Sequence, residues 1–201
     1  MVTLTPLEAE LLDIAGAVPD PELPVLTLRE LGVLRAVHVQ GPDTVEVELT
    51  PTYTGCPAIE AMSLDIERAL HEHGVRDVTV RTVLSPAWST DDITDEGRDK
   101  LRRFGIAPPR VRHQDGPVPV SLGPTRARPS APADATEAPT ATEAPTAQAA
   151  TGAPDPATTP IHCPHCGSAD TELLSRFSST ACKALRRCLA CREPFDHFKE
   201  L

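Results

Sequence analysis

Aromatic side chains are scarce. The 201-residue chain has one Trp, one Tyr and four Phe, 3% in all. That excludes a large aromatic core and leaves packing to Leu, Val, Ile and Ala. Long apolar runs are missing too. No stretch approaches the roughly 18 consecutive apolar residues of a membrane-spanning helix, so no membrane partner is expected. The opening Met1-Val-Thr-Leu-Thr-Pro6, followed by Glu8 and Glu10, lacks the basic and apolar regions of a secretory signal. A cytoplasmic protein is expected, where six cysteines point to thiols or metal ligands and not to disulfides. Positive charge is also short, with 19 Lys+Arg against 29 Asp+Glu and a net of −10. Nucleic-acid binding by counterion release needs clustered Lys and Arg. The one local cluster, Lys183, Arg186 and Arg187, is too thin, so no nucleic-acid partner is expected.

What is present is distributed unevenly. Residues 1–106 hold 9 Lys+Arg against 19 Asp+Glu, whereas residues 161–201 hold 6 against 5. Residues 107–160 hold 12 of the 22 prolines and no Phe, Trp, Tyr or Cys. Such a composition cannot bury enough apolar surface to offset the entropy of ordering a chain. It also carries the hexapeptide Ala135-Thr-Glu-Ala-Pro-Thr140, repeated identically as Ala141 to Thr146. Three parts are therefore expected: a domain over 1–106, a disordered Pro/Ala/Thr-rich linker over 107–160, and a small domain over 161–201.

In the first part, Thr5-Pro6-Leu7-Glu8 predicts a helix start, with Thr5 as cap and Glu8 closing a capping box. Leu7, Leu11, Leu12, Ile14 and Ala15 follow at helical spacing, and Pro19 and Pro21 stop the helix. Asp20-Pro-Glu-Leu-Pro24 reads as a rigid loop. Thr27-Leu-Arg-Glu30 repeats the capping pattern for a short turn ended by Gly32. Val33–Gln40 and Thr44–Thr50 alternate apolar and polar around Gly41-Pro-Asp43, which predicts an antiparallel hairpin. Ile59, Met62, Ile66, Ala69 and Leu70 mark a helix from Pro57 to near Gly74. Asp77–Leu84 reads as a Val-rich strand, and Thr94–Phe104 as a helix ended by Gly105. The order α-β-β-α-β-α predicts an α+β domain, a small sheet covered by helices.

The last part carries Cys163-Pro-His-Cys166 and Cys188-Leu-Ala-Cys191. Each turn aims two sulfurs at one point, and two turns supply a tetrahedron of thiolates that suits zinc. The 21 residues between the pairs slightly exceed the usual range of about 15–20 and leave room for a hairpin. Short strands are expected at Thr171–Phe177, Ala184–Arg187 and Phe195–Lys199, forming a four-Cys, zinc-ribbon-like β domain. So small a domain has little core, and the metal would supply much of its folding free energy. Iron, alone or as an iron–sulfur cluster, suits the same four ligands. Cys182 lies outside both pairs. It is either a small buried residue or an extra thiol.

A second thiol, Cys56, sits between the second strand and the second helix. Pro57 at the first helical turn makes Cys56 the expected cap, and a helix N-terminus lowers a thiol's pKa. Gly55 leaves room for a ligand. Asp20 and Glu22 add two carboxylates, which could equally be solvated turn residues.

Asp20-Pro-Glu-Leu-Pro-Val25, Leu31-Gly32-Val33 and Thr50 to Pro57 together resemble the metal–sulfur cluster biosynthesis (SufT-like) family. Pro86-Ala-Trp88, Gly105-Ile-Ala-Pro-Pro109, Cys163 to Gly167, Ser179-Thr-Ala-Cys-Lys-Ala184 and Cys188 to Lys199 look like the PaaD (or PaaJ) subunits of the phenylacetyl-CoA epoxidase system. The resemblance implies that Cys56 is the motif cysteine, handling iron or an iron–sulfur cluster transiently, with Asp20 and Glu22 beside it. It implies an accessory role in aerobic phenylacetate degradation, without independent catalysis. That role is cluster assembly or maturation for the oxygenase or for its flavin and iron–sulfur reductase, with the ribbon docking a client. The partners implied are the other subunits of that system. The alternative is a structural or electron-transfer subunit. Against electron transfer, the chain has no Glu-x-x-His di-iron motif, flavin fingerprint or plant-type ferredoxin spacing. The chain departs from the family pattern near Asp91-Asp92, where a second Trp is usual, and at Glu200, where a Cys is frequent. Its linker is also long.

Overall fold

The structure, a computed structural model, describes residues 4–110 and 160–200. They belong to one compact unit. The expected linker lies outside the described residues except at its edges, and so does the hexapeptide repeat.

Helix α1 (Pro6–Gly16) starts where the capping pattern predicts. The Thr5 N–H donates to Glu8 Oε2 at 2.8 Å and the Glu8 N–H donates back to Thr5 Oγ1 at 3.2 Å. Helix α2 (Leu28–Leu31) repeats the device with Thr27 and Glu30, at 3.0 and 3.2 Å. Gly32 ends it at φ +76°, and a Cβ there would lie 2.3 Å from the Asp92 carbonyl oxygen. Only glycine meets both the handedness and the close approach.

Strands β1 (Leu34–Val39) and β2 (Thr44–Leu49) form the expected hairpin, with a register shift between Leu34 and Ala36. That irregularity falls at Arg35, whose guanidinium donates to Thr50 Oγ1 at 2.9 Å and Asp92 Oδ2 at 3.0 Å. Val45, Val47 and Leu49 are buried, as strand alternation requires. Helix α3 (Ala58–Glu72) buries Ala58, Met62, Ile66 and Leu70, one every fourth residue, against this sheet. It forms the crossover to β3 (Asp77–Thr82), which runs parallel to β2. A short 3-10 turn (Thr90–Asp92) leads into α4 (Asp95–Arg103), capped by the Thr94 hydroxyl. The first sheet has the order β1-β2-β3, covered by helices as expected.

The second sheet holds β4 (Ile106–Ala107), β5 (Thr171–Ser175), β6 (Lys183–Cys188) and β7 (Pro194–Phe198) in the order β4-β7-β6-β5. The three ribbon strands match the expected segments. Strand β4 was not expected. Ala107 stands at the intended start of the linker, yet it pairs in parallel with His197 of β7. The first segment therefore contributes a strand to the ribbon's sheet.

Other contacts join the same two segments. Phe198 is fully buried and belongs to the hydrophobic core of the first segment, as does Cys182. Its ring lies 6.1 Å from that of Trp88, whose indole N–H donates to the Leu31 carbonyl at 2.9 Å. Glu200 accepts from the Arg110 N–H at 3.2 Å. Burying a large apolar side chain is worth roughly 1.5–3 kcal/mol, so the seam at Phe198 contributes substantially to the stability of both segments.

Candidate metal centre and the Cys56 loop

The four ribbon cysteines converge. Their sulfurs lie within 4.8 Å of one another, with Cys163 to Cys191 at 3.8 Å and Cys166 to Cys188 at 3.5 Å. A tetrahedral ion with bonds of about 2.3 Å requires sulfurs about 3.8 Å apart, so the donor set fits zinc or iron. The two turns have one design. The Gly167 N–H donates to the Cys163 carbonyl at 2.9 Å, and the Arg192 N–H to the Cys188 carbonyl at 3.0 Å. Gly167 at φ +75° and Arg192 at φ +70° then turn the chain away in the left-handed conformation.

The thiols do not ionise alike. The Cys191 and Ala190 N–H groups donating to Cys188 Sγ hold that thiol down at about 7, against the cost of burial. The Glu193 N–H pulls Cys191 down, but burial and the neighbouring thiols outweigh it and leave it at about 12. Four thiolates this close need a cation in place of their protons. The nearby histidines stay outside this sulfur group. His162 and His165 are exposed, and His197 is buried on β7, where burial pushes it down to about 4.

Cys56 sits half-buried in the loop after β2, with its N–H donating to the Tyr53 carbonyl at 3.2 Å. Two expectations need correction. The helix proper begins at Ala58 with Pro57 as its N-cap, so Cys56 stands one position earlier. The Cys56 sulfur nevertheless accepts from the Ala58 N–H. Nor is the thiol acidic. Burial pushes its pKa up, and Glu22 and Asp20 add to the rise, outweighing the Ala58 N–H and the Thr52 hydroxyl. The helix-end signal is local, whereas the two acids come from a loop more than thirty residues earlier.

Asp20 and Glu22 differ in kind. Asp20 is 4% exposed, and its Oδ1 accepts from the N–H groups of Glu22 at 2.9 Å and Leu23 at 2.6 Å. It holds the loop's shape, and burial raises its pKa. The neighbouring Glu22 is half-buried, and burial followed by the charge of Asp20 raises its pKa. Cys182 is 4% exposed, with its sulfur 3.0 Å from Thr180 Oγ1. Next to it, Lys183 is buried and pairs with Asp196 at 3.3 Å. Neither the burial of Lys183 nor that of His197 was expected, because a basic residue on a short strand carries no local sign of which face is covered.

The fold and the four-sulfur centre define a class of protein: a small α+β domain joined to a four-cysteine metal ribbon. The family described as "Iron-sulfur cluster assembly protein" matches residues 8–83, and that described as "PaaD zinc beta ribbon domain" matches residues 147–199. The chain is 36% identical over 200 residues to a protein of Escherichia coli (strain K12) assigned as the D component of 1,2-phenylacetyl-CoA epoxidase, covering 99% of this chain and 97% of that one. It therefore belongs to the PaaD family. A crystal structure of the domain of unknown function DUF59 from Bacillus anthracis is 26% identical, with a TM-score of 0.44, over 47% of this chain and 90% of that chain. Among the described residues, no helix is long and apolar enough to cross a membrane.

Proposed function

We propose that this protein is a cytoplasmic accessory subunit of a phenylacetyl-CoA epoxidase system, and that it helps assemble or install iron–sulfur clusters in a partner subunit. The observation that carries the reading is the Cys56 loop. It places one half-buried thiol beside the charges of Glu22 and Asp20, inside the segment that matches the iron–sulfur assembly family. A thiol with nearby carboxylates binds iron, yet offers far fewer sulfurs than a permanent cluster site. Such a site suits a cargo that must leave again.

In this reading the ribbon has a structural metal, with zinc preferred by the closed four-thiolate shell. It also docks the client. Leu173, Leu174, Phe177 and Leu189 are exposed on the ribbon at 41–66%, a set of apolar side chains suited to a protein partner. The flavin and iron–sulfur reductase is the client favoured here, because it is the component that holds a cluster.

The test is co-expression of the epoxidase system with the wild-type chain or with Cys56→Ser. Iron, sulfide and activity are then measured in the purified reductase and oxygenase. The reading expects less cluster in the reductase with the variant. Equal cluster content and equal activity would reduce Cys56 to a packing residue. Metal analysis of anaerobically purified protein identifies the ion in the ribbon.

A further inference from the structure

Where the first segment joins the ribbon's sheet, polar groups from three strands are buried together. Arg110 follows β4, Arg186 lies on β6, His197 lies on β7 and Glu200 follows it. Glu200 is the hub. Its Oε1 accepts from the Arg110 N–H at 3.2 Å, and it stands 3.6 Å from Arg110 Nε and 3.9 Å from His197 Nε2. The register brings Arg186 to the same place. Arg186 pairs with Phe195, so it shares a sheet face with His197 two residues along and is its diagonal neighbour.

Two of these groups are left unsatisfied. Arg186 Nε and His197 Nε2 are buried with no hydrogen-bond partner among the described residues. His197 as a whole is 5% exposed. The end of the Arg186 guanidinium makes long bonds to Thr171, at 3.5 Å to the carbonyl and 3.3 Å to Oγ1. The ion pair of Glu200 is with Arg110, and Arg186 has no carboxylate partner among the described residues. A buried donor without a partner is costly, and a charged one more so. An anion at this point removes both costs.

We propose that Arg186 and His197, with Arg110 and Glu200 at the rim, form a binding site for a small free monocarboxylate. This is independent of the cluster-handling reading of Cys56.

Charge and shape select the ligand. Arg186 brings one positive charge that no ion pair answers, and the buried neutral His197 brings a donor without charge. A monoanion balances that pair. Phosphate carries roughly two negative charges near neutral pH and would leave a surplus beside Glu200. A carboxylate has two oxygens, one to accept from the Arg186 Nε–H and one from the His197 Nε2–H. Both donor atoms are buried, so the acid must be small and free, not a side chain on the surface of another protein. The side chains of Arg110 and Glu200 are partly exposed and mark the entry. The bound acid would tie β6 to β7 beside β4, at the edge of the seam between the two segments.

The experiment uses the full chain with its ribbon filled with zinc, and sodium acetate as the probe. Sodium chloride holds the ionic strength constant. The ring nitrogens of His197 are followed by NMR, and the melting temperature by Trp88 fluorescence. The proposal expects the His197 signal to move and saturate as for one site, and the melting temperature to rise over the same acetate range. Arg186→Gln should weaken binding by about tenfold or more. Glu200→Gln should do the opposite and tighten it by about fivefold, because a competing negative charge is gone. A His197 signal that stays still, or drifts without saturating, in the unaltered chain would overturn the inference. So would unchanged affinity in Arg186→Gln, or weaker binding in Glu200→Gln. A blocked aspartyl tripeptide that bound as tightly as acetate would put the donors at the surface and would also overturn it. The unaltered chain and Glu200→Gln decide the matter even where Arg186→Gln misfolds.

Discussion

The four-cysteine centre takes its ligands from two turns of one ribbon, and their sulfurs already stand at bonding separations for a tetrahedral ion. The Cys56 loop offers one half-buried thiol, and the acids that act on it, Glu22 and Asp20, come from a distant segment of the chain. One site is local, closed and suited to permanence. The other is a single half-buried thiol with acids from a distant loop, open and suited to exchange. The difference teaches that the ribbon's metal can support the first segment without touching it, by holding Cys182 and Phe198 in that segment's core.

Removing the ribbon's metal should have the largest effect. Structural zinc contributes on the order of 10 kcal/mol in small zinc domains. Cys188→Ser, or a strong chelator, should abolish stoichiometric metal and destabilise residues 4–110 as well as the ribbon. Trp88 is the chain's single Trp and touches Phe198 across the seam, so its fluorescence should report loss of the ribbon. A variant that kept full metal occupancy, or an unchanged Trp88 signal after metal removal, would break the comparison.

Phe198→Ala should come next. Phe198 is fully buried in the core of the first segment, and truncation of such a residue costs about 3–5 kcal/mol. Urea unfolding should show one transition, shifted as a whole and followed alike by Trp88 fluorescence and by circular dichroism. Two separate transitions would mean that the segments fold independently.

A smaller effect is expected at the second capping box. Thr27→Ala should cost about 1 kcal/mol. Glu30 is also pH-sensitive. Burial raises its pKa, but bonds from Lys100 and the Thr27 N–H outweigh burial and leave it below the usual carboxylate value. A lowered folded-state pKa stabilises at pH above the unfolded value near 4.5 and loses that contribution as pH falls through the folded value. Glu30→Gln should therefore flatten the acid limb of the stability curve. An acid limb identical to wild type would contradict the assignment.

The smallest effect is expected for Cys56→Ser. Serine keeps the shape and can accept from the Ala58 N–H, so unfolding free energy should change by less than about 0.5 kcal/mol. A larger loss would make Cys56 a structural residue and weaken the contrast between the two sites.

Local features were legible from the sequence. Thr5 with Glu8 and Thr27 with Glu30 marked two helix starts, and Gly32 and Gly105 marked two ends. Val45, Val47 and Leu49 revealed their strand by alternation, and paired Cys-x-x-Cys turns carry their own geometry in their spacing. What was not legible depends on contacts between distant segments. Ile106-Ala107 is too short for any periodic signal, so its pairing with β7 could not be foreseen. The thiol of Cys56 was expected to be acidic because the helix end is visible from neighbouring residues, whereas burial, and after it the charges of Glu22 and Asp20, act through the fold. Cys182 looked like a buried residue or a spare thiol, and only the packing of the ribbon places it in the core of the first segment. Glu200, conspicuous in the sequence as a departure from a frequent cysteine, turns out to bind the Arg110 N–H.

X-ray absorption at the iron edge, on the zinc-filled full chain loaded with one equivalent of ferrous iron, tests the central claim most directly. The account predicts one sulfur neighbour with oxygen or nitrogen completing the shell, and no sulfur in Cys56→Ser. Four sulfurs would put the iron in the ribbon, and no sulfur in the wild-type chain would put it on surface carboxylates; either result contradicts a site built on Cys56.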